Sequence, residues 1–289
     1  IHNITNYVTV NDCANILLAA GASPIMAEEE SEVGQITSIA QGLNINIGMA
    51  TKAKAAAILA AGKRSNALGH ITVLDRVGAG ASEFRNGLIS RLLKSVKFTV
   101  IKGNASEIKS LATGISNFGG VDAETHRESG RGNLIKLAEN LRKKARCTVV
   151  VTGKTDIVTD GDTTYLVHNG HEMMSRITGS GCMLSALITA FAAANKENVT
   201  RSVLAGVCAM GLAGEKAARR IEKPAGSGTF KTYLIDEIFN MTGEELERGA
   251  KYETNYAFVC GYRQGLDRGK KPVPPSGRGF KRWHNLFTA

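Results

Sequence analysis

Residues 71–101 read ITVLDRVGAGASEFRNGLISRLLKSVKFTVI. The β-branched runs at the two ends, ITVLD and FTVI, are typical of short buried strands. A glycine-containing turn follows the first run, and residues 84–94 have helical periodicity. A strand, a helix and a second strand in this order form a parallel pair, because the helix carries the chain back to the same edge of the sheet. This stretch therefore predicts an α/β fold.

The same alternation extends along most of the chain. Further elements are predicted as strands at residues 43–47 and 148–152, helices at 51–68 and 132–145, and a hairpin at 157–160 and 164–168. After the hairpin the pattern predicts helices alone, at residues 182–194, 200–221 and 231–240. The fold class is thus α/β, with a mostly parallel central sheet and helices on both faces, in one domain over residues 1–253.

Composition restricts the class of protein. Five cysteines are spread through 289 residues without a C-x-x-C pair, which argues against a disulfide framework or a zinc knuckle and favours a reducing cytoplasm. The sequence contains neither a secretory signal pattern nor an uncharged apolar run of about 18 residues, so no transmembrane helix is expected. It starts at Ile1 rather than Met, and we expect the natural amino terminus to lie upstream.

Residues 254–289 depart from this pattern. They carry seven basic side chains and one acidic one, so +6 of the formal net charge of +10 lies there. Three of the five prolines and the only Trp also fall in this segment. We interpret it as a flexible basic tail or a cloning or frameshift remnant, and a nucleic-acid-binding arm is the alternative. On the first interpretation neither a nucleic acid nor a membrane is an expected partner.

The most distinctive local motif is TGSGC at residues 178–182, which precedes an apolar helical run. Two glycines permit a tight turn whose backbone N–H groups point one way, and the following helix adds unpaired N–H groups at its N-terminus. Such a turn stabilises anions, including a transferring phosphoryl group; a plain glycine-rich helix start is the alternative. Cys182 at this position is expected to have a lowered pKa, or else to be a buried small hydrophobe.

Four polar residues end or follow predicted strands: Asp75, Lys102, Asn104 and Thr152. The carboxyl ends of parallel strands lie at one edge of a sheet, so these residues should converge on one crevice. Lys102 suits a phosphate, and Asp75 is either a metal or general-base carboxylate or a strand-ending residue. Asn104 and Glu107 share a helix face, where they would hold Mg²⁺ through its waters or form a capping box.

Other motifs do not fulfil their requirements. Gly153-Lys154-Thr155 resembles the end of a P-loop, but Thr148 stands where that motif needs a glycine. The G-x-G strings at residues 78–80 and 179–181 lack the third glycine of a dinucleotide site. The string HNGH at residues 168–171 has two possible metal ligands without a third nearby, and its Asn-Gly pair favours a hairpin turn.

Taken in order, these motifs resemble the ribokinase-like superfamily of ATP-dependent kinases. Within it, the chain closely resembles the hydroxyethylthiazole kinase family. The resemblance covers residues 1–253 and rests on HNITNYVTVNDCANILLAAGASPIMA, INIGMA, VGAGAS, IKGNASEI, VVTGKTD, HNGH, RITGSGC and GSGTF, which follow one another in the family's order. It implies a ribokinase-like fold and phosphorylation of the hydroxyl of 4-methyl-5-(2-hydroxyethyl)thiazole, with ATP and Mg²⁺, in cytoplasmic thiamine biosynthesis or salvage. It also implies a homotrimer whose neighbouring subunits share active sites.

The resemblance implies roles for single residues. The matched positions are Met26 and Gly179 for the thiazole, Lys102, Thr152 and Asn6 for ATP, Asp75 and Glu107 for the metal and phosphates, and Cys182 with Gly179 and Gly181 for catalysis. ATP is expected along the crevice formed by Lys102, Thr152 and the GSGTF string. Most of the superfamily has a catalytic Asp where Cys182 stands, although this family commonly has Cys, so the thiol is expected beside the substrate hydroxyl.

The chain also departs from the family pattern. Arg76 replaces the usual Pro after Asp75, and GSGTF replaces a GPGTF-like string, which is expected to loosen a loop on the nucleotide side. A first helix expected before Ile1 is absent from this sequence. Two alternatives therefore stay open, a related small-alcohol kinase acting on hydroxymethylpyrimidine and a catalytically weak thiazole-binding pseudo-enzyme.

Overall fold

The computed structural model describes residues 1–75, 82–113 and 128–256. Their strands form one sheet in which spatial order follows chain order. The strands are β1 (His2–Ile4), β2 (Gly42–Asn46), β3 (Ile71–Asp75), β4 (Val100–Asn104), β5 (Thr148–Thr152), β6 (Asp156–Thr159), β7 (Thr163–Val167) and β8 (Tyr252–Tyr256). Strands β1 to β5 are parallel, and β6 to β8 continue the sheet in antiparallel fashion.

Helices connect and cover these strands. Those in the described ranges are α1 (Val10–Ala19), α2 (Glu30–Ile39), α3 (Lys52–Ala67), α4 (Glu83–Ser95), α5 (Ala105–Thr113), α6 (Glu128–Ala145), α7 (Ser180–Ala194), α8 (Val199–Arg219), α9 (Ser227–Asn240) and α10 (Gly243–Gly249). Short 3₁₀ turns lie at Glu172–Arg176 and Lys196–Asn198. The α/β class and the mostly parallel sheet predicted from the sequence are confirmed.

Two apolar cores lie on opposite faces of the sheet. Successive strand residues point to opposite faces, so Val73 packs in one core and Leu74 in the other. In the first core the sheet packs against α1, α7, α8 and α9. In the second core it packs against α2 to α6. Burial on both faces explains why the central strands read as nearly continuous apolar runs. Helices on both faces are thus confirmed.

Several elements differ from prediction, and helices α1, α2 and α10 were not predicted. The strand expected at residues 98–101 is Val100–Asn104, because pairing with β5 begins at Val100 and runs to Asn104. Helices alone were expected after the hairpin, yet β8 pairs with β7 along its whole length. The sequence pattern also missed β1, whose three residues are too few to show a period of two.

The predicted domain boundary at residue 253 falls inside β8. Thr254 is buried and pairs with Tyr165, so the sheet reaches Tyr256. Arg76, the VGAG string and the tail beyond Tyr256 lie outside the described residues. Within the described ranges no helix combines the length and the apolar character needed to cross a membrane.

Candidate active site

Three neighbouring parallel strands place a row of polar side chains side by side: Asn46 and Asp75 end β2 and β3, and Lys102 lies within β4. Asn46 pairs in register with Asp75, and Asp75 with Lys102. Lys102 Nζ lies 2.9 Å from Asp75 Oδ1, and both side chains are almost completely buried. Burial alone would lower the pKa of Lys102, but the Asp75 carboxylate outweighs it and the pKa is raised. The convergence expected from the topology is therefore observed for this pair.

The turn at residues 178–182 opens α7 directly beside this row. Gly179 is the N-cap and has a left-handed φ of +87°, which favours glycine. The first hydrogen bond of the helix runs from Met183 N–H to Gly179 O over 2.8 Å. The N–H groups of Ser180, Gly181 and Cys182 therefore have no partner within the helix. The sequence motif thus forms the helix-terminal turn that an anion site requires.

The two glycines of this turn differ in what surrounds them. A Cβ at Gly179 would stand 2.7 Å from Thr9 Cγ2, which is too close for any side chain. A Cβ at Gly181 would stand 3.4 Å from Lys102 Nζ, an ordinary contact distance. The Lys102 ammonium and the N-terminus of α7 therefore face the same small volume, where both favour negative charge.

Cys182 lies in the first turn of α7 and is 7% exposed. Its Sγ accepts hydrogen bonds from Asn46 Nδ2 at 3.2 Å and Asn6 Nδ2 at 3.5 Å. Burial and then the Asp75 carboxylate raise the pKa of the thiol, although Thr9, Lys102 and Asn6 act in the opposite direction. Of the two alternatives left open by the sequence, the structure shows the buried small side chain, and burial raises the pKa instead of the helix position lowering it.

Asn46 is a residue of this site that sequence analysis missed. It is 1% exposed, and it contacts Asp75, Asn6 and Cys182. Thr9 Oγ1 donates to Asn6 Oδ1 over 3.2 Å, which orients that amide with its nitrogen toward Asn46. The signal in the sequence was a polar residue inside the apolar strand LNINI, where an amide has to find partners.

Asn104 and Glu107 form a reciprocal cap at the start of α5. Glu107 N–H donates to Asn104 Oδ1 over 2.9 Å, and Asn104 N–H donates to Glu107 Oε2 over 2.8 Å. Of the two interpretations left open by the sequence, the capping box is the one that the geometry shows. Within the described ranges no group of three or more His, Cys, Asp or Glu side chains is arranged to hold a metal ion.

Thr152 ends β5 in register with Asn104, at the same edge as Lys102. The next residues form the tight turn into β6, where Gly153 N–H donates to Asp156 Oδ1 over 2.8 Å. Burial raises the pKa of Asp156 to about 7, against the opposing effects of this hydrogen bond and of Lys102. Asp156 is therefore a second acidic group close to the Lys102 ammonium.

The remaining predicted residues lie around this centre. Met26 is partly buried and packs against the core that contains Cys182. The GSGTF string was expected to be a loop but opens α9, with Gly226 as the N-cap. From that helix Lys231 Nζ reaches Asp12 Oδ1 at 3.1 Å, and Asp12 in turn lies beside Gly179.

The HNGH string is a connection between β7 and the 3₁₀ turn, and not the hairpin turn that was predicted. Asn169 is buried, and its polar atoms are paired: its amide donates to Glu215 and to the Gly249 carbonyl, and its Oδ1 accepts from Lys251 N–H at 2.7 Å. His171 accepts from Met173 N–H and caps the 3₁₀ turn. Through the hydrogen bonds of Asn169, the string therefore holds the end of β7 against α8 and α10.

Comparison with known proteins agrees with this geometry. The model of the Hydroxyethylthiazole kinase family matches residues 1–244. The chain belongs to the hydroxyethylthiazole kinase family. A hydroxyethylthiazole kinase of Clostridium acetobutylicum is 49% identical over 257 residues, covering 88% of this chain and 94% of the relative. One of Clostridium beijerinckii is 47% identical, covering 86% and 90%. The chain is accordingly a kinase by family membership.

Solved structures support the same family. The hydroxyethylthiazole kinase protein of Pyrococcus horikoshii OT3 superposes with a TM-score of 0.78 at 36% identity, covering 88% of this chain and 92% of that one. A pyridoxal kinase of Staphylococcus aureus in complex with AMP-PCP and pyridoxal superposes with a TM-score of 0.59 at 15% identity, covering 89% and 99%. The second likeness shows a shared ribokinase-like fold, which confirms the fold class predicted from the sequence.

Proposed function

We propose that this hydroxyethylthiazole kinase family member transfers the γ-phosphoryl group of ATP to the hydroxyl of 4-methyl-5-(2-hydroxyethyl)thiazole, in thiamine biosynthesis or salvage. The observation that carries the proposal is the N-terminus of α7 facing the buried Lys102–Asp75 pair. The hydroxyl oxygen attacks the γ-phosphorus, ADP leaves, and the hydroxyl proton is released. Phosphoryl transfer depends mainly on positioning and on charge stabilisation, both of which this crevice offers.

We assign ATP to this crevice because the Lys102 ammonium and the N-terminus of α7 both favour its negative charge. Lys102 within β4 and Thr152 at the end of β5 lie on adjacent strands, and we assign them to the nucleotide phosphates. The N–H groups of residues 180–182, which have no partner within α7, are assigned to the transferring phosphoryl group, so Gly179 and Gly181 serve catalysis by shaping this turn. Asn6 is buried against Cys182 at the transfer point, which supports a contact with the terminal phosphate.

The thiazole is assigned to the side of the turn that faces Met26 and Gly179. Met26 offers a polarisable apolar surface suited to an aromatic ring. Cys182 then lies beside the hydroxyl. Because the pKa of its thiol is raised, we assign it a role as a neutral hydrogen-bonding group rather than as the general base.

The acidic residues fit a magnesium ion that keeps most of its waters. Asp75 accepts one hydrogen bond at each of its two carboxylate oxygens, and an ionised carboxylate has about four acceptor positions, so it can also accept from a metal-bound water. Glu107 adds a second carboxylate, whose Oε2 accepts the Asn104 N–H. Magnesium bound to nucleotide phosphates commonly needs only one or two carboxylates. When bound, the ion supplies neutralisation of charge on the β- and γ-phosphates.

We also assign a homotrimer with shared sites and a cytoplasmic location. Three exposed apolar side chains flank the site: Tyr7 at 67% exposure, Val8 at 59% and Met49 at 41%. A neighbouring subunit covering them would close the thiazole side of the crevice from water. The free thiols of Cys13, Cys147, Cys182 and Cys208 suit a reducing compartment.

The test is ADP release with ATP and Mg²⁺, with and without hydroxyethylthiazole. We expect thiazole-dependent release, with hydroxymethylpyrimidine as the control alcohol. Release with the pyrimidine alone would assign the chain to another alcohol. Thermal stabilisation by the thiazole without ADP release would identify a pseudo-enzyme and contradict the proposal.

A further inference from the structure

We propose that Asn46 is a positioning residue for the phosphoryl transfer, because one buried amide fixes both Asp75 and Cys182. The inference rests on the proposed function and adds a residue to it. Asn46 ends β2, and Cys182 belongs to α7, which is 136 residues away in the chain. Its side chain is therefore the link between the strand-end acid and the helix that carries the thiol.

Every hydrogen-bonding position of the Asn46 amide is used. Its Nδ2 donates to Asp75 Oδ2 at 2.7 Å and to Cys182 Sγ at 3.2 Å. Its Oδ1 accepts from Gly48 N–H at 2.9 Å and from Asn6 Nδ2 at 3.2 Å. A backbone N–H can only donate, so the Gly48 contact sets which end of the amide is oxygen. The nitrogen must then face Asp75 and Cys182.

This orientation determines the role of the sulfur atom. Asn46 and Asn6 both donate to Cys182 Sγ, so the sulfur is the acceptor in both contacts. Neither amide can accept the S–H proton, because both Nδ2 groups act as donors. On the other side, Asn46 and Lys102 bind different oxygens of Asp75 and hold the carboxylate in one plane.

The matched control is Asn44, two residues earlier on the same strand and therefore on the same face. Asn44 is completely buried, and its amide donates to Asn3 Oδ1 over 2.8 Å. Asn44→Ala removes an equally buried amide from the same strand. A loss of kcat that is specific to Asn46 cannot then come from burial or strand packing.

The experiment compares steady-state kinetics of Asn46→Ala and Asn44→Ala in full-length protein. For Asn46→Ala we expect kcat to fall about 10- to 100-fold with KM for ATP and thiazole within about threefold, because small misplacements act on the transition state. Asn44→Ala should keep kcat within about twofold to threefold, the change expected away from the reacting groups. Unfolding midpoints show that each variant is folded, and Asn46→Ser replaces Asn46→Ala if the latter is not.

A double-mutant cycle tests whether Asn46 acts through the thiol. In the Cys182→Ala background, Asn46→Ala should cost at least about threefold less in kcat than in the unmutated protein, because residues acting as one unit are not additive. The loss that remains is the effect of Asn46 on Asp75. Equal losses in both backgrounds, or equal losses for Asn46 and Asn44, would overturn the inference while leaving the proposed function intact. Absence of thiazole-dependent turnover in the unmutated protein would overturn the proposed function and this role together.

Discussion

Cys182 stands in the first turn of α7, where unpaired N–H groups favour a thiolate, and yet the pKa of its thiol is raised. Two effects compete at this atom. Burial and the nearby Asp75 carboxylate disfavour the charged form, while the helix terminus and the amide donors favour it. Burial dominates, so near neutral pH the residue is a thiol that accepts two N–H hydrogen bonds.

Replacing Cys182 by Ala should therefore reduce turnover without abolishing it. We expect kcat to fall by about 3- to 30-fold, less than the 10²- to 10⁴-fold that general-base catalysis contributes. Cys147→Ala is the control, because Cys147 is an equally buried free thiol in the opposite core. An unchanged kcat in Cys182→Ala would remove this thiol from the reaction, and a complete loss would restore it as the base.

The two glycines of the TGSGC turn should respond differently to Ala. Gly179→Ala meets both a φ of +87° and Thr9 Cγ2 at 2.7 Å, so we expect a loss of about 1–3 kcal/mol in the free energy of unfolding. At Gly181 the added methyl group has ordinary space, and we expect the stability to stay within about 0.5 kcal/mol. Urea unfolding measures both. Equal destabilisation of the two variants would contradict this account of the turn.

At the scale of elements, the turn between β5 and β6 depends on a partly buried acid, Asp156. Asp156 accepts the Gly153 N–H directly after Thr152, so it sets the shape of the chain beside the assigned ATP position. Burial raises the pKa of Asp156 to about 7. A carboxyl with a raised pKa stabilises the fold fully below its unfolded pKa, and that contribution is lost as the pH rises through about 7.

Asp156→Asn should remove this pH dependence while keeping an oxygen that accepts the Gly153 N–H. At pH 8 we expect the variant to be about 1–3 kcal/mol more stable than the parent, and the difference should shrink toward pH 4. Chemical unfolding at several pH values measures it. Asp160→Asn replaces the acid that caps the neighbouring turn and serves as the comparison. A constant difference across this pH range would contradict the raised pKa of Asp156.

The elements themselves show what sequence patterns can and cannot predict. The long helix α3 and the continuous apolar strand β5 were predicted within about two residues, because local propensity and burial agree there. Polar residues next to predicted strands indicated Asp75 and Lys102, although β4 continues past Lys102 to Asn104. The raised pKa of Cys182 and the role of Asn46 were not predictable, since both depend on packing between residues more than one hundred positions apart.

At the scale of the whole molecule, an assembled trimer would cover Tyr7, Val8 and Met49. A charge in such a buried interface is costly, so Val8→Asp should dissociate the assembly and raise KM for the thiazole by about tenfold or more. Light scattering after gel filtration measures the mass. Leu68→Asp is the control, because Leu68 is exposed before β3, at the opposite edge of the sheet. A monomeric parent, or an unaffected Val8→Asp trimer, would contradict the assignment.

The order of the strands has a consequence for synthesis. Because neighbours in the sheet are also neighbours along the chain, a nascent polypeptide can add β1 to β5 one after another as it leaves the ribosome. The turn at Gly179 and the helix after it emerge only later. In a stalled or truncated product that ends before this turn, Asn46, Asp75 and Lys102 would be exposed to water, and the helix N-terminus that favours anions would be missing. The anion-binding part of the site is therefore completed late in translation.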